Sequence, residues 1–515
     1  MKKQLKLFLF IFISHISINL SAQHTNVQIG SSISFGEPTE PSISINPSNT
    51  DEIVIGAMTD HYYTSVDGGY SWQYGTLTST YGVMADPVIV AGNNGNFYYI
   101  HLIPSMDRVL CQKKDDINSS WSNGSYTGLN GTMEVDKEWA AYDPGTGNLY
   151  ISWTEFDIWA STNPGDSSYI YFSGSQDGGL TWGEHKLISN RGGNATGGIS
   201  SVHGSMPAVG PNGEIYVCWW SRNGIKFDKS TDFGETWLSE DIEVTRPVYW
   251  IYNIPQIELG VSFANIACDR SGGPNDGTIY INWADRDNGN SDIWLVKSVD
   301  GGLSWTDPIL VNNDLSGKHQ FFNSMALDQV TGNLYIVFYD RRNYDDANTD
   351  VYMAMSDNGG ESFSNFKISE TPFYPYETVF IGHYIGVSAH DSKIFATWPR
   401  MDDGHLSLWG ANIDTAMIGI DIPEVLPFSL DQNFPNPFNE TTFISFKINE
   451  PSKISLKIYD VYGKEVAKLI DNQLYDRGKY VKQFDTDNFQ TRSGVYYFSL
   501  IMKDKVLTRK MILIK

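Results

Sequence analysis

Cysteine is scarce in this chain: Cys111, Cys218 and Cys268 are the only three in 515 residues. An odd number, each within a strand-like run, argues against a disulfide framework or a cysteine-built metal site and leaves buried free thiols. Basic residues are short as well, 36 against 60 acidic ones, for a net charge of −24. That balance argues against nucleic acid or an anionic membrane as partner. Past residue 20 no run is apolar and long enough to cross a bilayer, so no transmembrane segment is expected. Long helical periodicities are missing, and no arginine precedes Arg108.

What is present begins with a secretion signal expected over residues 1–22. Lys2, Lys3 and Lys6 precede an apolar run over 7–20, and Leu20, Ser21 and Ala22 form a small-residue cleavage site. No cysteine follows that site, so a lipid anchor there is not indicated.

The rest of the chain is organised around an octet of the form S-x-D-x-G-x-[ST]-W. It reads SVDGGYSW at 65–72, SQDGGLTW at 175–182, STDFGETW at 230–237 and SVDGGLSW at 298–305. Worn copies stand at 114–121, with Asn118 for glycine, and at 356–363, with Asn358 for aspartate and Phe363 for tryptophan. Each copy lies between two strand-like runs and reads as a hairpin turn. The aspartate accepts from the turn's backbone, glycine takes φ > 0, and the tryptophan packs beneath. Six copies at separations of 49 to 68 residues make a repeat array.

A second phrase precedes each octet: an apolar strand, a Gly-containing turn, then a strand ending in an aromatic. It recurs at 41–55, 85–100, 137–153, 205–219, 265–283, 323–338 and 382–398, which makes seven units. Seven four-stranded units closing in a ring predict an all-β fold, a seven-bladed β-propeller over 23–414, with the strand near 26–34 completing the last sheet. In such a blade the octets are turns between third and fourth strands. They share one face with the turns between first and second strands. The loops after second strands and the connections between blades share the other face, where propeller sites form.

Nine arginines lie between residues 23 and 424. Arg108, Arg222, Arg286, Arg341, Arg342 and Arg400 follow second strands, Arg191 and Arg246 lie in connections between blades, and Arg270 alone falls in a first turn. Convergence of the eight on one mouth would make an anion site within an acidic shell. The alternative for Arg286, Arg341 and Arg342 is pairing with Asp285, Asp287, Asp340 and Asp345 in their own loops. The same face collects His203, His319, His383, Tyr384, His61 and His101, and the long aromatic connection 245–253 holds Tyr249 and Tyr252. Residues 285–292 resemble a calcium loop in spacing, but the twelfth-position glutamate is missing. A structural hairpin is the preferred reading; structural calcium stays open and no other cofactor is called for.

On these motifs, residues 23–414 resemble the Asp-box (BNR) propellers of the sialidase superfamily. Catalytic sialidases carry an early arginine in an F/Y-R-I-P phrase as part of an arginine triad. This chain has no such phrase, which argues against hydrolysis of sialic acid. Its histidine, tyrosine and arginine mouth is similar to that of box-bearing propellers of marine bacteria that act on ulvan, as lyases or as an oligosaccharide dehydratase. The resemblance implies β-elimination on a uronate-containing algal glycan. The proton at C5 is weakly acidic until the adjacent carboxylate is neutralised, a task suited to arginine, and histidine or tyrosine can move the proton. The candidate catalytic set is His203, Tyr249, Tyr252 and Arg222. Arg246, Arg286, Arg341, His319, His383, Tyr384 and His101 are candidate substrate contacts. Two alternatives stay open: an exo-acting sialidase-like hydrolase using a pair among Asp60, Asp86, Asp136 and Glu138, and a non-catalytic glycan-binding propeller.

After a linker at 415–427 the charge changes sign. Residues 425–515 hold 14 basic and 10 acidic residues, net +4. Alternating strands predict a small Ig-like β-sandwich over 428–515. The phrases NFPNPF at 433–438, VYGKEV at 461–466, SGVYY at 493–497 and the terminal RKMILIK resemble the C-terminal sorting domain of type IX secretion in Bacteroidetes-type bacteria. The type IX machinery is the implied partner, and release or surface attachment the implied destination.

Overall fold

A computed structural model describes residues 24–31, 38–245, 251–286, 290–314, 316–413, 428–430, 432–448, 451–461, 463–486, 489, 492–502 and 505–515. The signal at 1–22 lies outside that set, as do Arg246 and Tyr249. The chain divides into two compact units, residues 1–418 and 419–515.

The first unit contains seven antiparallel sheets arranged like propeller blades, each of four strands, with a short extra strand, Gly193–Asn194, on the third. Their inner strands are Ser42–Ile45, Val88–Ala91, Glu134–Tyr142, His203–Val209, Asn265–Cys268, Gln320–Leu327 and Gly386–His390. Each inner strand contacts the inner strands of both neighbouring blades, and the seventh meets the first, so the ring is closed. The chain start makes the closure: Asn26–Ser31 pairs with His405–Ile413 as the outer strand of blade seven. Second strands such as Ile53–Ala57, Phe97–Leu102 and Leu149–Phe156 are buried at every position, because blades cover both of their faces.

The octets show why their residues recur. Asp67 Oδ1 accepts from the backbone N–H of Tyr70 (3.0 Å) and Ser71 (2.9 Å), and Ser71 Oγ donates to Oδ2 at 2.6 Å. The Ser71 hydroxyl leads the donors that hold the Asp67 carboxyl down at about 2. Gly69 has φ +92°, and a Cβ there would lie 2.3 Å from the Phe395 ring. Gly234 and Gly302 sit in the same way against Phe172 and Phe227 of the preceding blades. The glycine is therefore required twice, by the left-handed turn and by the aromatic tucked beneath it. Trp72, Trp237 and Trp305 meet the same three rings edge-on at 4.9–5.3 Å.

The second unit is a small sandwich. A three-stranded sheet of Phe428–Leu430, Thr441–Ile448 and Gly478–Asp485 accompanies a four-stranded sheet of Ser452–Asp460, Glu465–Tyr475, Gly494–Met502 and Lys505–Leu513. Alternate residues such as Ile454, Leu456, Ile458, Phe498 and Leu500 fill the space between them.

Candidate functional site

Each inner strand joins its ladder at an equivalent pair: Ser42–Gly56, Val88–Ile100, Trp139–Ser152, Met206–Cys218, Asn265–Asn282, Ser324–Val337 and Gly386–Thr397. Two residues before each first partner stand Glu40, Asp86, Lys137, Gly204, Phe263, Phe322 and Tyr384. Five of these are left-handed: Glu40 (φ 51°), Asp86 (52°), Lys137 (50°), Gly204 (68°) and Phe322 (54°). In blades three, four and six the ladder resumes across a bulge at this point. A bulge re-aims a side chain at the rim of a sheet, and here repeated bulges make a rim around the axis. Blades one to three supply charge to it, and blades five to seven supply aromatic rings. Gly204 separates the halves, and a Cβ on it would lie 2.2 Å from the Phe263 ring.

Lys137 links both halves. Its Nζ lies 2.6 Å from Asp86 Oδ1 and 3.3 Å from Glu40 Oε1, and 5.1 and 5.5 Å from the Tyr384 and Phe263 ring centroids. Glu40 also holds His383, whose Nδ1 is 2.9 Å from Oε1 and whose backbone N–H donates to the same oxygen at 3.1 Å. A second histidine–carboxylate pair stands in the next blades: His203 Nε2 is 3.1 Å from Asp136 Oδ2, and the Trp159 indole donates to that oxygen at 3.1 Å. Glu138 is buried, and neither carboxylate oxygen has a hydrogen-bond partner among the described residues. Asp86, Lys137, Glu138, Phe263, His383 and Tyr384 line a small pocket of about 30 Å³.

This environment drives the carboxylates apart. Burial alone would raise Glu40, but Lys137 and His383 overcome it and hold Glu40 well below the usual range. Asp136 is lowered against burial by its bond to His203. Burial pushes Asp86 well above its usual value, with Glu40 and Asp136 adding to it against the pull of Lys137. Burial likewise raises Glu138 well above the carboxylate range, and Asp86 adds to it. Two carboxyls lowered and two raised thus lie close together, and such a divergence is the pattern that separates proton acceptors from proton donors.

Of the residues singled out from sequence, His203, His383 and Tyr384 meet at this mouth. Tyr252 belongs to a two-residue strand, Ile251–Tyr252, paired with Gly260–Val261. The arginines do not converge. Arg108, Arg342 and Arg400 are held by Asp107, Asp340 and Asp402 within their own loops, at 2.6–2.7 Å. Arg341 is buried, donating to Thr349 and to the Pro255 carbonyl, so it is a packing element rather than an open anion contact. Arg286 is exposed, and exposed Arg222 lines a separate cleft with Arg191 and Lys226. His319 accepts from Ser291, and burial, helped by Arg341 and Arg286, lowers it to about 4. His101 is fully buried, with both ring nitrogens engaged by the Leu102 carbonyl and Gln112, which leaves it nothing to offer a ligand. Glu40 and Lys137 were not among the candidates. Their equivalent places before each inner strand were the available clue.

Residues 432–515 match the secretion system C-terminal sorting domain. No curated protein matches the chain. Among solved structures, a Hadza microbial sialidase is similar at 13% identity and TM-score 0.41, covering 72% of this chain and 75% of its own. The NanB sialidase from Streptococcus pneumoniae stands at 10% and 0.42, covering 76% and 70%. An ulvan lyase of a polysaccharide lyase family stands at 10% and 0.38, covering 82% and 93%. Among the described residues no helix is long and apolar enough to cross a membrane. The sorting domain marks the chain for secretion or the cell surface.

Proposed function

We propose that the chain is a secreted enzyme that opens a uronate-containing anionic glycan by β-elimination at the axial mouth. The observation that carries this reading is the His383–Glu40 pair. Nδ1 lies 2.9 Å from Glu40 Oε1, neither ring nitrogen has a hydrogen-bond partner among the described residues, and Nε2 is assigned as the nitrogen that takes the proton. His383 Nε2 removes the C5 proton, the electron pair forms the C4=C5 double bond, and the C4–O bond breaks. Glu138, whose carboxyl burial raises, returns a proton to the departing oxygen. Lys137, not an arginine basin, faces the uronate carboxylate.

The divided carboxylates favour a second reading, hydrolysis, with neutral Glu138 as general acid and Asp136 as the ionised partner. Incubation with ulvan oligosaccharides separates the two. Elimination gives the ultraviolet absorbance of a conjugated unsaturated uronate with no gain of water, whereas hydrolysis adds one water per cut and no absorbance. His383→Ala is expected to slow elimination at least ~100-fold with the fold intact. No product from the wild-type chain, or full activity in His383→Ala, overturns the proposal.

A further inference from the structure

Below the mouth, the inner strands of all seven blades surround an axial channel of about 380 Å³. Its far end lies among the first turns of the blades, on the face that carries the octets: Gly68 of the first octet donates to the Asp51 carbonyl in the first turn of its blade. Arg270, the one arginine that the sequence places in such a turn, lines this end with Asn93, Pro144, Gln329 and His390.

Its guanidinium is unusual. Nε and Nη1 are buried without a hydrogen-bond partner among the described residues. Nη2 is the remaining nitrogen through which the charge meets the channel. Gln329 does not serve the guanidinium: its Oε1 accepts from the Arg270 backbone, and its Nε2 donates to the Cys268 carbonyl. Asp143, in the corresponding turn of blade three, is already occupied by the Gly145 N–H at 2.8 Å and the Thr146 hydroxyl at 2.6 Å. Burial lowers the Arg270 guanidinium, with only Cys268 and Asp143 opposing. A guanidinium does not discharge in proteins, and a half-buried one with two unpartnered nitrogens is a favourable place for an anion from outside the chain.

We infer that the octet-side end of the axial channel binds a small anion against Arg270. With one nitrogen open to the channel the contact is single-pronged, which suits chloride, carboxylate or sulfate alike. This site is separate from the mouth and does not depend on the reaction proposed there.

The full chain, melted in buffers of equal ionic strength with gluconate as the bulky reference anion, tests this against chloride, acetate and sulfate in turn. At least one small anion should raise the wild-type midpoint by on the order of 2 °C more than it raises that of Arg270→Met. In gluconate Arg270→Met should melt at or above the wild type, because it removes an unpaired buried charge. Arg270→Lys retains a charge and should keep a reduced anion response. Crystals soaked in bromide or selenate should show an anomalous peak within hydrogen-bond reach of the Arg270 guanidinium. Equal anion shifts in wild type and Arg270→Met overturn the inference. So does an anomalous map without that peak.

Discussion

Removing the Lys137 ammonium tests the central rim most directly. In Lys137→Met, Glu40 keeps His383 but loses the cation 3.3 Å away, and Asp86 loses its 2.6 Å partner. The Glu40 and Asp86 side chains are only 2% and 6% exposed, so water does not replace the lost charge. Breaking a buried pair by removing one partner costs about 3–5 kcal/mol, more than exposed pairs contribute by several-fold. The loss depends on pH with a definite sign. The folded pKa of Glu40 is lowered, so Glu40 stabilises the fold above its unfolded value near 4.5, and that contribution fades as pH falls. Lys137 is raised in the fold, and its contribution is complete throughout the neutral range. The gap between wild type and variant should therefore be full at pH 8 and shrink below pH ~4.5. All 15 tryptophans lie before residue 418, so tryptophan fluorescence during denaturation follows the propeller without interference from the C-terminal unit. A triple variant, Glu40→Gln with Asp86→Asn and Lys137→Met, removes the charges together and should recover part of the loss. Equal midpoints for wild type and Lys137→Met at pH 8, or a gap unchanged at pH 4, would refute the reasoning.

Three further outcomes follow from other contacts. Gly69→Ala forces a left-handed side chain against Phe395 at 2.3 Å and should destabilise the propeller by about 1–3 kcal/mol in the same fluorescence assay. Asp228 is buried, Oδ2 has no partner, and burial raises its carboxyl to about 7. Because the folded value lies above the unfolded one, ionisation destabilises the fold increasingly from pH ~4 to ~7, so Asp228→Asn should stabilise at pH 8 by on the order of 2 kcal/mol and be neutral at pH 4. Deleting residues 428–515 should leave the octet-bearing unit folded by circular dichroism but prevent its appearance outside the native host, as detected by immunoblotting of cell and medium fractions.

The fold was legible because its information is local and repeated. An octet such as SVDGGYSW contains its own hydrogen-bond acceptor, its left-handed glycine and its packing tryptophan, so each copy identifies a hairpin without reference to the rest of the chain. The site is a different kind of object. His203, His383 and Tyr384 could be gathered from sequence, since they open inner strands and inner strands surround the axis. Glu40 and Lys137 meet across 97 positions of chain. Nothing near either residue announces the other, and only the equivalence of their places before successive inner strands brings them to one rim.

The arginines show the opposite error, in which a local fact outweighs a global pattern. Loop topology sends most of them toward one face, but a guanidinium settles on the nearest carboxylate that its hydrogen bonds can reach. Arg108 has Asp107 one residue away, and Arg342 and Arg400 have Asp340 and Asp402 two residues away. Lys137 has acids equally near in sequence, Asp136 and Glu138, yet it pairs with Glu40 and Asp86 from other blades. The difference is the left-handed bulge at Lys137, which turns the lysine toward the axis while Asp136 meets His203. Backbone conformation at the rim, rather than residue type, therefore decides which charges reach the mouth. The same logic explains why that mouth is built from carboxylates, histidines and a single lysine.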